Sequence, residues 1–168
     1  MHRFTPQWPK NSPDRVPLTP ADFVYRDARD VVRYAELELL ALVYNRPDIW
    51  HLDSEGRRRC CGNGSSLDTL QRYARDPRAL LASRWYEPRS DCPDYWVIVE
   101  PRQEWRCGPI DVTEDDARAF LAIRRTLAEH GITLLDAVVL GDDCRWWSLH
   151  ELTSGTTAWS FTPVGWPR

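Results

Sequence analysis

The sequence predicts an α+β domain in which helices flank a mixed β-sheet. Two observations carry this. Read along the chain, the elements fall in the order α, β-β, α, β, α, β-β, which is neither strictly alternating nor segregated. And at 168 residues the chain suits one domain large enough to bury a real core. The expected organisation is an extended arm over residues 1–18, a domain over 19–152 and a tail over 153–168.

The arm holds four prolines and little periodicity, so it reads as extended chain. Thr19-Pro20 is a cap followed by proline at the first helical position, which predicts a helix running through Asp30, Val31, Val32 and Ala35. Residues 37–44 suit either its continuation or a strand, and their Leu, Ala and Glu content tips the reading to helix. Pro47 ends either one. Residues 49–52, a Ser-Glu-Gly turn and residues up to Cys61 predict a strand pair. The loop Gly62-Asn63-Gly64-Ser65-Ser66 leads into a helix over 67–75, and Asp76-Pro77 starts another turn through Leu81. A polar connector, 84–94, precedes the apolar strand 95–100.

The last third has the densest signals. Thr113 is an N-cap, Asp116 stands at the reciprocal position of a capping box, and Glu114, Asp115 and Asp116 suit the positive end of a helix. Ala117, Phe120, Leu121, Leu127 and Ala128, with Ile123 on the flank, predict the apolar face. Gly131 ends the helix. The run 134–140 is nearly continuous in Leu and Val, which predicts a strand buried on both faces. Gly141, Asp142 and Asp143 mark a turn into a second strand over 144–149, making a hairpin.

Composition narrows the function classes. A net charge of -3 implies no general attraction to nucleic acid. No apolar run reaches the ~20 residues needed to span a membrane, and the polar, Pro-broken start has no secretory core. Five irregularly spaced cysteines fit a reduced, cytoplasmic protein.

The segment 113–152 resembles the C-terminal part of the RadC-like JAB/JAMM domain, a zinc-metalloprotease-type fold. Thr113-x-x-Asp116 matches the family's Ser/Thr-x-x-Asp element. Gly131, Ile132, Leu134, Leu135, Asp136, Gly141 and Ser148 match the run that comes after it, and strand 95–100 resembles the strand leading into the metal motif. The resemblance implies a JAMM-like scaffold, with Glu38 near the family's catalytic Glu. It also implies a His-x-His-Pro motif between that strand and Thr113, whose imidazoles join the Asp on zinc. Here that stretch is PRQEWRCGPIDV, with no histidine. Gln103, Glu104 and Trp105 stand in its place, so the resemblance implies a metal-free, inactive relative that needs no cofactor. On the plainer reading Asp116 simply caps its helix.

Other constellations have bland alternatives. The loop 62–66 lacks the lysine of a phosphate-binding loop. Cys60 and Cys61, with His51, Cys92 or Cys107, suggest zinc, yet adjacent strand residues face opposite ways. Cys144 and His150 are a nucleophile pair only by residue type. Arg57, Arg58 and Arg59 are nucleic-acid candidates, with Arg124 and Arg125 beside them. Nine tryptophans are many. Trp96 and one of Trp146 and Trp147 belong to the core, whereas Trp85, Trp105, Trp159 and Trp166 lie in loop-like segments, as packing anchors or as contacts for a partner. The favoured function is a non-enzymatic module binding another protein through Arg102, Glu104, Trp105 and Trp159. The family's association with mobile genetic elements adds an anti-defence role by analogy. Two alternatives are a metal-dependent hydrolase with atypical carboxylate or cysteine ligands (Glu38, Glu104 and Asp116) and a nucleic-acid binder.

Overall fold

The computed structural model of the chain describes residues 2–3, 23–38, 47–63, 69–82, 94–102, 110–141 and 145–163. Its strands are β1 (His2–Arg3), β2 (Asp48–Leu52), β3 (Arg58–Asn63), β4 (Asp94–Arg102), β5 (Ile132–Gly141) and β6 (Arg145–Ser148). Its helices are α1 (Ala28–Glu38), α2 (Leu70–Arg75), α3 (Pro77–Leu81), α4 (Glu114–Glu129) and α5 (Leu149–Ser154). These strands form one sheet in the order β1-β6-β5-β4-β2-β3. Among them only β4 and β5 are parallel, and every other neighbour pair is antiparallel. The expected α+β domain with a mixed sheet is therefore what the chain builds.

Helices cover both faces of the sheet. On the helical face, α2, α3 and α4 pack over Ile49, Trp96, Ile98, Leu134, Ala137 and Val139 through Tyr73, Leu80, Phe120, Ile123 and Leu127. On the opposite face, Ala28, Val31 and Val32 of α1 join Tyr25 and Trp159 over Trp50, Val97, Val99, Leu135, Val138 and Leu140. With both faces covered, β5 is buried along its whole length. The same covering explains why Trp146 and Trp147 are both buried: they point to opposite layers.

A local irregularity sits where β4 and β5 pair. Trp96 stands opposite Leu134, but Val97 stands opposite Asp136, so Leu135 is an extra residue in β5. Such a bulge re-aims the side chains beyond it. It places both Leu135 and Asp136 on the α1 face.

The elements differ from expectation at the start of α1 and after Ser148. Residues 23–27 are not helical; α1 starts at Ala28, where the Asp27 carboxylate accepts from the amides of Arg29 and Asp30 at 2.8 and 3.2 Å. Residues 39–44, all but the first two of the ambiguous stretch, lie outside the described residues, as do 64–66 of the glycine-rich loop. Finally, the second strand of the hairpin stops at Ser148. Its hydroxyl accepts from the Glu151 amide and opens α5, so the expected boundary at 152/153 falls inside a helix.

Candidate functional site

The period-2 pattern of β4 puts Glu100 and Arg102 on the face of Trp96 and Ile98. There they meet Asp116, in the first turn of α4. All three are buried, Asp116 to 1 % exposure and Arg102 to 8 %. The Arg102 guanidinium grips both oxygens of Asp116, Nη2 to Oδ1 at 2.6 Å and Nη1 to Oδ2 at 3.0 Å, and its Nε donates to Glu100 Oε1 at 3.1 Å. This is the fork geometry that arginine makes with carboxylates. The helices complete the shell. Leu70 N–H, at the start of α2, donates to Glu100 Oε2 at 3.1 Å. Gln71 donates its amide to Asp116 Oδ1. Thr113 N–H donates to Asp116 Oδ2 at 2.8 Å, the reciprocal bond of the capping box.

The electrostatics of the cluster come from that shell. Burial pushes the Asp116 carboxyl up, but Arg102, the Thr113 amide and Gln71 outweigh it and hold it below its ordinary range. For Glu100 burial wins over Arg102 and the Leu70 amide, and its carboxyl is raised. Arg102 resists the loss of charge that burial favours, because two carboxylates face it. The cluster thus holds two acids around one guanidinium. Every lone-pair direction of Asp116 is engaged, which leaves no oxygen for a metal.

A second buried carboxylate lies on the α1 face. Asp136 accepts from Ser148 Oγ at 2.6 Å, from the His150 amide at 2.9 Å and from the Trp159 indole at 3.1 Å. All these donors are neutral, and burial pushes its carboxyl up to about 6. Ser148 bonds Asp136 and not the His150 ring, whose Nε2 lies 3.2 Å from the Ala158 carbonyl. These three residues are therefore not wired as a nucleophile and base.

No family model matches the chain, and no curated protein matches it. The RadC-like resemblance thus stands on its own residues. Two of them, Asp136 and Ser148, touch each other, and Thr113 and Asp116 form the capping box.

The structure redistributes the residues singled out in the sequence. Arg102 and Trp159 were expected to meet a partner. Both are instead buried and bonded within the chain, Trp159 at 7 % exposure, so neither presents a surface. Glu104 and Trp105 lie outside the described residues, as do Cys92, Cys107 and Cys144. Of the carboxylates in the hydrolase alternative, Asp116 is committed to Arg102 and Glu104 is outside; Glu38 ends α1. The arginine triplet is divided. Arg57 pairs with Glu55, Arg58 lies 4.6 Å from the Trp50 ring, and Arg59 stands 3.9 Å from Asp53. Acidic neighbours therefore offset part of that charge. Arg124 lies against the Phe120 ring, 5.7 Å from its centre. His51 is buried with Nδ1 3.8 Å from Asp94. Among the described residues, no group of three or more His, Cys, Asp and Glu is arranged to hold a metal, and no helix is long and apolar enough to cross a membrane.

Sequence reasoning missed the Arg102–Asp116 pair, although a signal for it existed. Tyr-Trp-Val-Ile-Val-Glu-Pro-Arg lies in one strand, so Glu100 and Arg102 had to share the face of Trp96 and Ile98 under a helix. Buried charges there required partners.

Proposed function

We propose that this chain is a non-enzymatic protein-interaction module on a metal-free, JAMM-like scaffold. The observation that carries the reading is the grip of Arg102 on Asp116. The carboxylate that the RadC-like resemblance marks as a metal ligand is saturated by a guanidinium, an amide and a side-chain amide. The cation of the site is supplied by the chain itself. A hydrolase built on Asp116 needs that arginine displaced from a buried position with two acids around it.

The carboxyl end of β4 lies beside that of its parallel neighbour β5, and residues 103–109 follow it in the sequence. Open α/β sheets take ligands outside the carboxyl ends of their parallel strands, and by that analogy the contact is placed beside the one parallel pair among the described strands. With Arg102 and Trp159 turned inward, Glu104 and Trp105 in this segment are the partner contacts of the proposal. The family's association with mobile elements extends it to a partner in a host defence complex.

The test is cross-linking capture with the full-length chain, comparing wild type with Trp105→Ala and Glu104→Ala, alongside elemental analysis of the purified protein. We expect one retained protein that both variants lose, and metal well below one equivalent. Stoichiometric zinc that chelation removes with loss of stability would overturn the metal-free scaffold. A set of captured proteins indifferent to both substitutions would overturn the assigned contact.

A further inference from the structure

Residues 156–163 form a strap. Gly155, at φ 73°, turns the chain out of α5, and the strap runs back over the α1 face of the sheet. Ala158 bridges Asp27. The Trp159 amide donates to the Arg26 carbonyl at 3.0 Å, and the Tyr95 hydroxyl donates to the Phe161 carbonyl at 2.8 Å. Within the strap only Trp159 is buried. Its indole is the anchor, and the indole N–H ends on Asp136.

Asp136 is fully enclosed, and each surrounding element contributes something to its environment. From β6 comes the Ser148 hydroxyl, from α5 the His150 amide, and from the strap the Trp159 indole. Its neighbour on β4 is Val97, and Val31 and Val32 of α1 belong to the same apolar layer. No cation pairs with it among the described residues. The nearest titratable ring, His150, is turned to the Ala158 carbonyl and the Thr156 hydroxyl; burial lowers its pKa, Arg124 lowers it too, and Glu151 raises it. Arg26 and Asp27 meet the strap through the backbone, and Asp30 bonds the Arg26 amide.

We propose that Asp136 is a proton-operated latch for this strap: with its carboxyl protonated the strap is pinned through Trp159, and when the proton leaves the strap loosens. Solvation drives the change. Lifting the strap lets water reach the carboxyl, and water favours the anion far more than the neutral acid. Hydrogen bonds from Ser148, His150 and Trp159 favour the buried anion, but they do not overcome burial, since the carboxyl stays raised to about 6. The closed state has a place for the proton. On Oδ2 it donates to the Ser148 oxygen, which accepts from the Glu151 amide as well, while the His150 amide and the indole keep their bonds to the carboxyl oxygens.

The experiment is amide hydrogen exchange on the full-length chain from pH 5 to 8, read by mass spectrometry and corrected for the intrinsic pH dependence of exchange. We expect the opening of residues 156–163 to rise ~10-fold or more through pH ~6, against a ceiling of ~100-fold if the carboxyl becomes fully solvated. Amides in the middle of α4 should not change with it. Asp136→Asn should abolish the step. Ser148→Ala, which removes a donor to the anion, should move its midpoint upward, and this variant keeps the test open if Asp136→Asn does not fold. A strap equally protected across the range, or looser on the acid side, overturns the proposal. So does a step that survives Asp136→Asn, which would assign the titration to His150.

Discussion

Asp116 meets Arg102 through both of its carboxylate oxygens, at 2.6 and 3.0 Å, and in the same position closes the capping box with Thr113. One side chain therefore fixes the start of α4 and ties that helix to the end of β4. The pair joins two elements across a sequence separation of 14 residues.

Breaking this pair should be expensive. Arg102→Met leaves Glu100 and Asp116 buried together with no cation between them. We expect a loss of about 3–5 kcal/mol in urea unfolding, the usual cost of stranding a buried charge. The triple variant Glu100→Gln, Arg102→Met, Asp116→Asn removes all the charges and should recover most of that loss. If Arg102→Met unfolds at the wild-type urea concentration, the cluster is solvated and the proposed role of Arg102 fails.

Stability should fall as pH rises from 4.5 to 7.5. The Asp136 carboxyl is raised from 3.8 to about 6 in the fold. A raised acid favours the folded state while it is protonated. Its contribution is complete below the unfolded value and is lost as pH climbs through about 6, on the order of 3 kcal/mol in all. Glu100, raised by burial, acts in the same direction. Asp116 is held low and acts oppositely: its contribution is present above its ordinary value and is lost as pH falls through the lower folded one. Urea midpoints across this range should decline for wild type and decline less for Asp136→Asn. Identical slopes would remove Asp136 as a cause.

The facing of α4 gives a cleaner comparison. Leu121 is 46 % exposed and Leu152, on α5, 56 % exposed, while Phe120 is fully buried. Leu121→Ser and Leu152→Ser should each change stability by no more than ~0.5 kcal/mol. Phe120→Ala should cost about 3–5 kcal/mol. Equal losses at positions 120 and 121 would mean the helix is rotated from the orientation described.

Two glycines separate space from backbone conformation. Gly56 and Gly131 both have positive φ, at 81° and 71°. A methyl group at Gly56 would stand 2.6 Å from the Tyr25 carbonyl oxygen, whereas at Gly131 it meets nothing within 4 Å. Gly131→Ala should cost about 1–2 kcal/mol for the left-handed conformation alone. Gly56→Ala should cost clearly more in thermal unfolding, because backbone must also move. Equal costs would show that the turn after β2 yields without penalty.

Much of the fold was legible where local chemistry decides it. Thr113, Asp116 and Gly131 bounded α4, and continuous Val and Leu marked β5. Local rules failed where a distant partner decides. Ala117 and Leu121 looked like core by helical spacing, but burying Asp116 against Arg102 turns α4 so that Ala119 and Ile123 face the sheet. Trp159 looked like a loop residue free for a partner, since nothing near it in sequence announces Asp136, 23 residues earlier. Of the site, the cap was legible and the charge pairing was not, because the pairing depends on a strand lying under a helix.

The extra residue at Leu135 also bears on heredity. Exchanging it for another apolar side chain alters only what fills a space. Deleting it would restore strict alternation, with Leu134 still on the helical face and Asp136 still opposite Val97 on the α1 face. The register of the strand thus does not depend on this residue; only the filling of the α1 layer does. Descendants of this gene should be able to lose it with Asp136 still facing Ser148, His150 and Trp159.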